Sequence, residues 1–303
     1  MPNHELAGVY VAAITPLRSD YSPDIEAIPA LLRFYAGRGN HGALLLGTTG
    51  EGPSFSPSER IAIYKAATAI KATHPDFRLL AGTGTPSLNE SIDLTKEAFK
   101  LGFDGAIVLP PYYFRTASEG GLLQWFQQLI DSAVPEDRYL LYYHIPGVSG
   151  VPVNLEFLRK LKQLYPTRFA GLKDSTGNKD FAQALGETFG SQLAVFTGND
   201  RLLSHALEYQ AAGCITAMAN FASPQLRTIW NAYQRGDKDE STQIQLNSWR
   251  SILENYQPYA PTLKALLAKK YALPRWPACP PLIDLPEDAA TKAYQELFTA
   301  ETI

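Results

Sequence analysis

Short apolar, β-rich runs recur eight times along this chain, and a longer stretch with helical periodicity follows each one. The predicted strands are 9–14, 42–46, 78–82, 105–109, 139–143, 169–173, 193–197 and 214–217. The predicted helices are 25–38, 57–73, 88–100, 120–133, 155–164, 180–189, 201–210 and 224–235. Several open on a cap: in Ser56-Pro57-Ser58-Glu59 a hydroxyl can accept from orphan N–H groups while proline suits the first turn, and Asn154 and Ser223-Pro224 read similarly. Strict alternation demands a parallel sheet, because parallel neighbours are joined only through a crossover. Eight units are the number that closes a barrel. The rival, an open doubly wound sheet, carries Gly-x-Gly-x-x-Gly after its first strand. Here Thr15-Pro16-Leu17 stands in that place, and Gly82-Thr83-Gly84 lacks the third glycine. The expectation is an α/β fold, a (β/α)8 TIM barrel over 1–236.

Beyond Gly236 the alternation stops. Helical patterns at 240–256 and 261–271 are followed by five prolines within 274–286, too many for helix or central strand, and by a final helix at 289–298. The expectation for 237–303 is a small C-terminal helical appendage.

Composition narrows the partners. At 45% hydrophobic and 19% charged, the 303 residues can fill a sizeable core. The 27 Lys and Arg against 30 Asp and Glu give a net charge of −3, and no basic run exceeds Lys269-Lys270, so no nucleic-acid face is expected. Two cysteines, Cys214 and Cys279, cannot make a disulfide framework and suit a reducing compartment. The opening MPNHELAGV shows no basic-then-apolar leader. The longest stretches free of formal charge, 139–155 and 209–226, contain Pro, Gly and Asn, which a membrane helix of ~20 apolar residues rarely combines. A soluble, cytoplasmic protein with no membrane partner is expected.

In a barrel of this kind the chemistry sits at the carboxyl ends of the strands. Lys173 ends the sixth predicted strand, Phe169-Ala170-Gly171-Leu172-Lys173, so its amine should project into the barrel mouth. Apolar surroundings disfavour an ammonium and favour the free amine that attacks carbonyls. The structural alternative is a lysine paired with Asp174 or Glu51 to tie loops together. Tyr143 ends the neighbouring fifth strand, and a phenol beside that amine suits imine chemistry, which needs one group that both gives and takes a proton. Its alternative is an aromatic packed in the core. Tyr142, on the other face, should pack outward against helices. Gly47-Thr48-Thr49-Gly50 offers two hydroxyls and unobstructed N–H groups in one turn, a cradle for a carboxylate; such turns also bond their own backbone. The histidines His4, His41, His74, His144 and His205 are scattered and support no metal site.

Together these strand ends resemble the dihydrodipicolinate synthase/N-acetylneuraminate lyase family of class I pyruvate aldolases, over nearly the whole chain and in order. Gly47-Thr48-Thr49-Gly50-Glu51 is similar to the family's glycine–hydroxyl–threonine–glycine–glutamate signature, whose hydroxyls and amides hold the pyruvyl carboxylate. Tyr143-His144-Ile145-Pro146 is similar to its tyrosine motif, with His144 where most members carry Asn, and Gly171-Leu172-Lys173-Asp174-Ser175 to its Schiff-base segment. Pro111-Tyr112-Tyr113 is similar to a loop whose second tyrosine, here Tyr113, lies near the catalytic one, often at a subunit contact. Gly213-Cys214-Ile215 falls where a backbone carbonyl helps position the substrate.

The resemblance implies that Lys173 condenses with a 2-oxo acid, that Tyr143 and Tyr113 serve catalysis, and that Thr48, Thr49, Gly50 and Ile215 hold the pyruvyl part. It implies pyruvate and an aldehyde as partners, no metal, no added cofactor and a homotetramer. Val148 stands where the synthase branch carries an arginine for the aldehyde's carboxylate, which points away from aspartate semialdehyde. The string Ile145-Pro146-Gly147-Val148-Ser149-Gly150-Val151 looks more like the sugar-acid branch, and Ser175, Asn199 and Asp200 are the short polar contacts expected for a 2-keto-3-deoxy sugar acid. Ala278-Cys279-Pro280-Pro281 replaces an arginine before two prolines. The alternatives are a keto-deoxy sugar acid dehydratase or the synthase itself, using the same imine, and an idle paralogue that senses a 2-oxo acid.

Overall fold

The computed structural model describes residues 4–298. The first residues of the stretch read for a leader and the last of the predicted appendage lie outside them. Eight parallel strands close in sequence order, each paired with the next and β8 returning to β1. They are β1 (Gly8–Ala12), β2 (Gly42–Leu45), β3 (Arg78–Gly82), β4 (Gly105–Val108), β5 (Tyr139–His144), β6 (Phe169–Asp174), β7 (Ala194–Thr197) and β8 (Gly213–Thr216). Around them run α1 (Ile28–Gly37), α2 (Pro57–Ala67), α3 (Leu88–Lys100), α4 (Glu119–Ala133), α5 (Pro146–Ser149), α6 (Leu155–Leu164), α7 (Lys179–Phe189), α8 (Leu203–Glu208) and α9 (Ala219–Gln234). Then follow α10 (Glu240–Leu253), α11 (Tyr259–Tyr271) and α12 (Glu287–Phe298). This is the TIM barrel the alternation demanded, with helices added after it. None of the described helices is long and apolar enough to cross a membrane.

The strands separate two kinds of interior by their period of two. Tyr10, Leu44, Leu80, Ile107, Leu141 and Phe196 point inward and fill the barrel. Val9, Val11, Ala43, Leu45 and Leu79 point outward, where α1, α2, α9 and the C-terminal helices cover them in one continuous cluster. Leu246, Trp249, Leu253, Leu263 and Leu266 belong to that same cluster, so α10 and α11 share the barrel's outer core.

Helix starts follow capping chemistry. Ser56 and Glu59 form a reciprocal capping box on α2, and Ser118, Asn154 and Asn178 each accept from a first-turn N–H of α4, α6 and α7. Differences from the predicted bounds have local causes. The segment 57–73 is α-helical only to Ala67 and tightens to a 3-10 turn over Thr68–Ala72. α9 opens with a turn over 219–223 and runs on across a kink at Ala222, just before Pro224, so the helix begins earlier than its proline suggests.

Candidate active site

Lys173 and Tyr143 are directly opposite one another in the β5–β6 ladder, with Tyr142 against Leu172 and His144 against Asp174 on either side. Alternation therefore turns Lys173 and Tyr143 into the barrel mouth and His144 and Asp174 outward. The Lys173 amine lies 4.2 Å from the centre of the Tyr143 ring. Asp174 and Glu51, its alternative partners, are both engaged elsewhere. Asp174 meets Nδ1 of His144 at 2.8 Å, while Nε2 of His144 accepts from the Val153 N–H at 3.2 Å, which makes Nδ1 the protonated nitrogen. Glu51 meets Nζ of Lys264 on α11 and accepts the Cys279 N–H at 2.7 Å. Lys173, only 3% exposed, forms no ion pair among the described residues. The loop-tying alternative for this lysine is thereby overturned.

The turn after β2 is held under strain. Leu46 and Glu51, neither of them glycine, both adopt the left-handed conformation with φ of 57° and 55°. Between them Gly50 presses so closely on β1 that a Cβ would come within 2.8 Å of the Ala13 carbonyl, and the Thr15 hydroxyl donates to the Gly50 carbonyl at 2.6 Å. The Glu51 N–H donates to the Thr48 carbonyl, closing the turn, whereas the Thr49 and Gly50 N–H groups donate to no described residue. The Thr48 hydroxyl stands 3.2 Å from the Tyr143 hydroxyl. Glu51, in the left-handed conformation, has its carboxylate buried against Lys264 and the Cys279 amide. Burial, opposed by the Glu51 charge, leaves the Lys264 pKa below its ordinary value.

A cavity of about 680 Å³ opens over these groups. Thr48, Thr49, Tyr143, Lys173 and Ser175 line it, with Ile215 of β8 opposite, so most of the predicted site residues converge. Val148, on the short α5, lines it too and is 54% exposed. Three predicted residues do not line it: Gly50, which sits behind Thr48 and Thr49 in the same turn, Asp200 and Tyr113. Asp200 is fully buried beside the cavity: the Thr216 hydroxyl takes one oxygen and Arg250 takes the other at 2.7 Å, so the carboxylate faces β8 and α10, and its reading as a substrate contact is corrected. Tyr113 projects from the β4–α4 loop, 76% exposed, with its ring against the equally outward Phe114, and does not line the cavity within this chain. Tyr142 packs outward as expected, its ring 5.1 Å from Phe126 and 6.0 Å from Phe157.

The opposite wall was not anticipated. Arg250 and Glu254, with Gln257 and Tyr259 at the start of α11, reach over the mouth from the C-terminal helices. Their spacing reads locally as an i,i+4 surface pair. Only the long-range bond to Asp200 shows that Arg250 turns inward.

A closed eight-stranded barrel with a buried amine and a phenol at its mouth places the chain among the (β/α)8 barrels, whose chemistry gathers at the strand ends. The chain belongs to the Dihydrodipicolinate synthetase family, whose model matches residues 5–299, and it is an enzyme of the carbon–carbon lyase, aldolase type. It is 38% identical over 301 residues to an uncharacterized DapA-like lyase of Chloroflexus aurantiacus, covering 98% of this chain and 99% of that one. To a 4-hydroxy-tetrahydrodipicolinate synthase of Synechococcus it is 30% identical over 294 residues, covering 93% and 91%. Among solved structures, a dihydrodipicolinate synthase of Agrobacterium tumefaciens superposes with a TM-score of 0.87 at 27% identity, covering 98% and 99%. CdNal of Clostridium difficile, solved with mannosamine, shares the fold with a TM-score of 0.86 at 20% identity over 97% and 99%.

Proposed function

We propose that this enzyme cleaves a 2-keto-3-deoxy sugar acid, or a related 4-hydroxy-2-oxo acid, to pyruvate and an aldehyde through a Schiff base on Lys173. The observation that carries the reading is the lysine's isolation: buried, facing Tyr143, with Asp174 and Glu51 both bound to other partners. The Lys173 amine adds to the C2 ketone, and the carbinol oxygen leaves as water with a proton from Tyr143. The phenolate then takes the C4 hydroxyl proton. The C3–C4 bond breaks, its electron pair moves into the iminium, and the aldehyde departs. Protonation of the enamine at C3 and hydrolysis release pyruvate and restore the amine. The iminium is the electron sink that a Lewis acid supplies in other aldolases.

Thr48 hands the phenol its hydrogen-bond partner, and the hydroxyl of Thr49 with the unengaged N–H groups of Thr49 and Gly50 receives the pyruvyl carboxylate. Ser175 lines the path of the departing aldehyde, and Ile215 bounds the pyruvyl end. The absence of a cation at Val148 favours the sugar-acid reading over aspartate semialdehyde. Tyr113 enters this scheme only across a subunit contact, which suits a homotetramer acting in the cytoplasm, with 1–236 as the barrel and 237–303 as the appendage. A panel of keto-deoxy sugar acids tests the proposal: pyruvate release is expected. Loss of water without pyruvate would reassign the enzyme as a dehydratase, and condensation of pyruvate with aspartate semialdehyde would reassign it as the synthase.

A further inference from the structure

The cavity has two ends of different electrical character. Its floor holds Lys173 as the single charged side chain of the Schiff-base end, while its roof holds two side chains of opposite sign from the C-terminal helices, Arg250 and Glu254. Arg250 is only 12% exposed, and two of its nitrogens are committed: Nη1 to Asp200 at 2.7 Å and Nε to Glu254 at 3.1 Å. Glu254 is further held by Arg201 at 2.8 Å. Arg201, Arg250, Asp200 and Glu254 thus form a quartet whose formal charges cancel. Burial alone would lower the Arg250 pKa, but Asp200, Tyr259 and Glu254 together outweigh it and raise it, so the guanidinium is permanently charged.

A second carboxylate or a phosphate arriving at this roof gains the guanidinium but meets the Glu254 carboxylate beside it, which is 32% exposed. A hydroxyl meets no such conflict, because it can accept from the guanidinium and donate to the carboxylate at once. Neighbouring hydroxyls on a carbon chain match this alternation of donor and acceptor. The facing wall adds no charge: Ser175, Thr176 and Asn199 are neutral, and Val148 is apolar.

We infer that Arg250 and Glu254 are the specificity-determining pair for the aldehyde end of the substrate, selecting an uncharged, hydroxyl-bearing tail over a tail that carries a second carboxylate. The inference rests on the imine reading of the same site and adds to it the source of selectivity, the C-terminal helices. Glu254 is the informative position, since Glu254→Gln keeps the shape of the side chain while leaving the quartet with one net positive charge.

The test compares the intact protein with E254Q in the condensation direction, with pyruvate and either glyceraldehyde, which is hydroxylated and uncharged, or succinic semialdehyde, which carries a carboxylate. Borohydride trapping of the pyruvyl adduct on Lys173 is read in parallel. The unaltered enzyme is expected to favour glyceraldehyde by at least about tenfold in kcat/KM, and E254Q to move that ratio at least about tenfold towards succinic semialdehyde. A loss of stability alone would lower both rates and leave the ratio where it was. An adduct in both proteins with an unmoved ratio overturns this inference and leaves the imine standing; no adduct in the unaltered enzyme overturns both.

Discussion

The amine of Lys173 and the ring of Tyr143 face each other across adjacent strands, 4.2 Å from nitrogen to ring centre, at one rung of the β5–β6 ladder. The next rung, His144 and Asp174, faces the other way and is self-sufficient, the imidazole bridging Asp174 to the Val153 amide. A single step along the strands therefore divides a structural acid–imidazole pair from an unneutralised amine beside a phenol. The fold separates them because side chains alternate along a strand and for no other reason.

Replacing Tyr143 by Phe removes the hydroxyl that stands 3.2 Å from Thr48, its one side-chain partner among the described residues, while leaving the ring against Lys173. We expect kcat for aldol cleavage to fall by roughly 10²–10⁴, the usual worth of a positioned proton donor, with thermal stability little changed. Steady-state kinetics beside a melting curve check this. Activity within threefold of the unaltered enzyme would remove Tyr143 from the proton path.

The buried pair between Glu51 and Lys264 joins the strained turn to α11 across 213 positions of sequence. Lys264→Met strands the Glu51 carboxylate in the interior, and a loss of about 3–5 kcal/mol in denaturant unfolding is expected. Combining it with Glu51→Gln should restore a substantial part, since no unpaired charge then remains. If the double variant is no more stable than Lys264→Met alone, the pair does not act as a unit.

His41 supplies a stability–pH signature remote from the site. Its Nδ1 accepts the Val9 N–H at 2.9 Å, its ring packs on Trp230, and Arg227 and Arg78 are its charged neighbours. Burial first, then those two arginines, lower its pKa from 6.5 to about 4. The unfolded chain thus binds the proton more readily than the folded one. The contribution is fully present above about pH 6.5 and is lost as pH falls towards 4, by at most on the order of 3 kcal/mol. In His41→Asn, whose side-chain oxygen can still accept from Val9, the slope of unfolding free energy over that interval should flatten. Parallel slopes would contradict the assignment.

What the sequence discloses follows from the range of the forces involved. The eight strands, the capped helix starts and the positions of Lys173, Tyr143 and the two threonines depend on period, caps and strand ends, all of which are local, and they are legible. The partners of Asp200, Glu51 and Lys264 are not. Each bond spans tens to hundreds of residues, and the pairing is decided by how α10 and α11 pack on the barrel. Asp200 looked like a substrate ligand because it follows β7; Thr216 and Arg250 claim it from elements whose arrival no local pattern announces. Tyr113 illustrates the other boundary: it ends on the outer surface of its own chain, away from the cavity, which its place after β4 did not disclose.

In the proposed reaction Lys173 carries the carbonyl chemistry, and one measurement addresses that role directly. The protein is incubated with pyruvate, reduced with borohydride, digested and examined by mass spectrometry. A reduced pyruvyl adduct confined to the peptide containing Lys173 and abolished by Lys173→Ala is expected. A folded protein with no adduct, or with the adduct on Lys264 or another lysine, would contradict it.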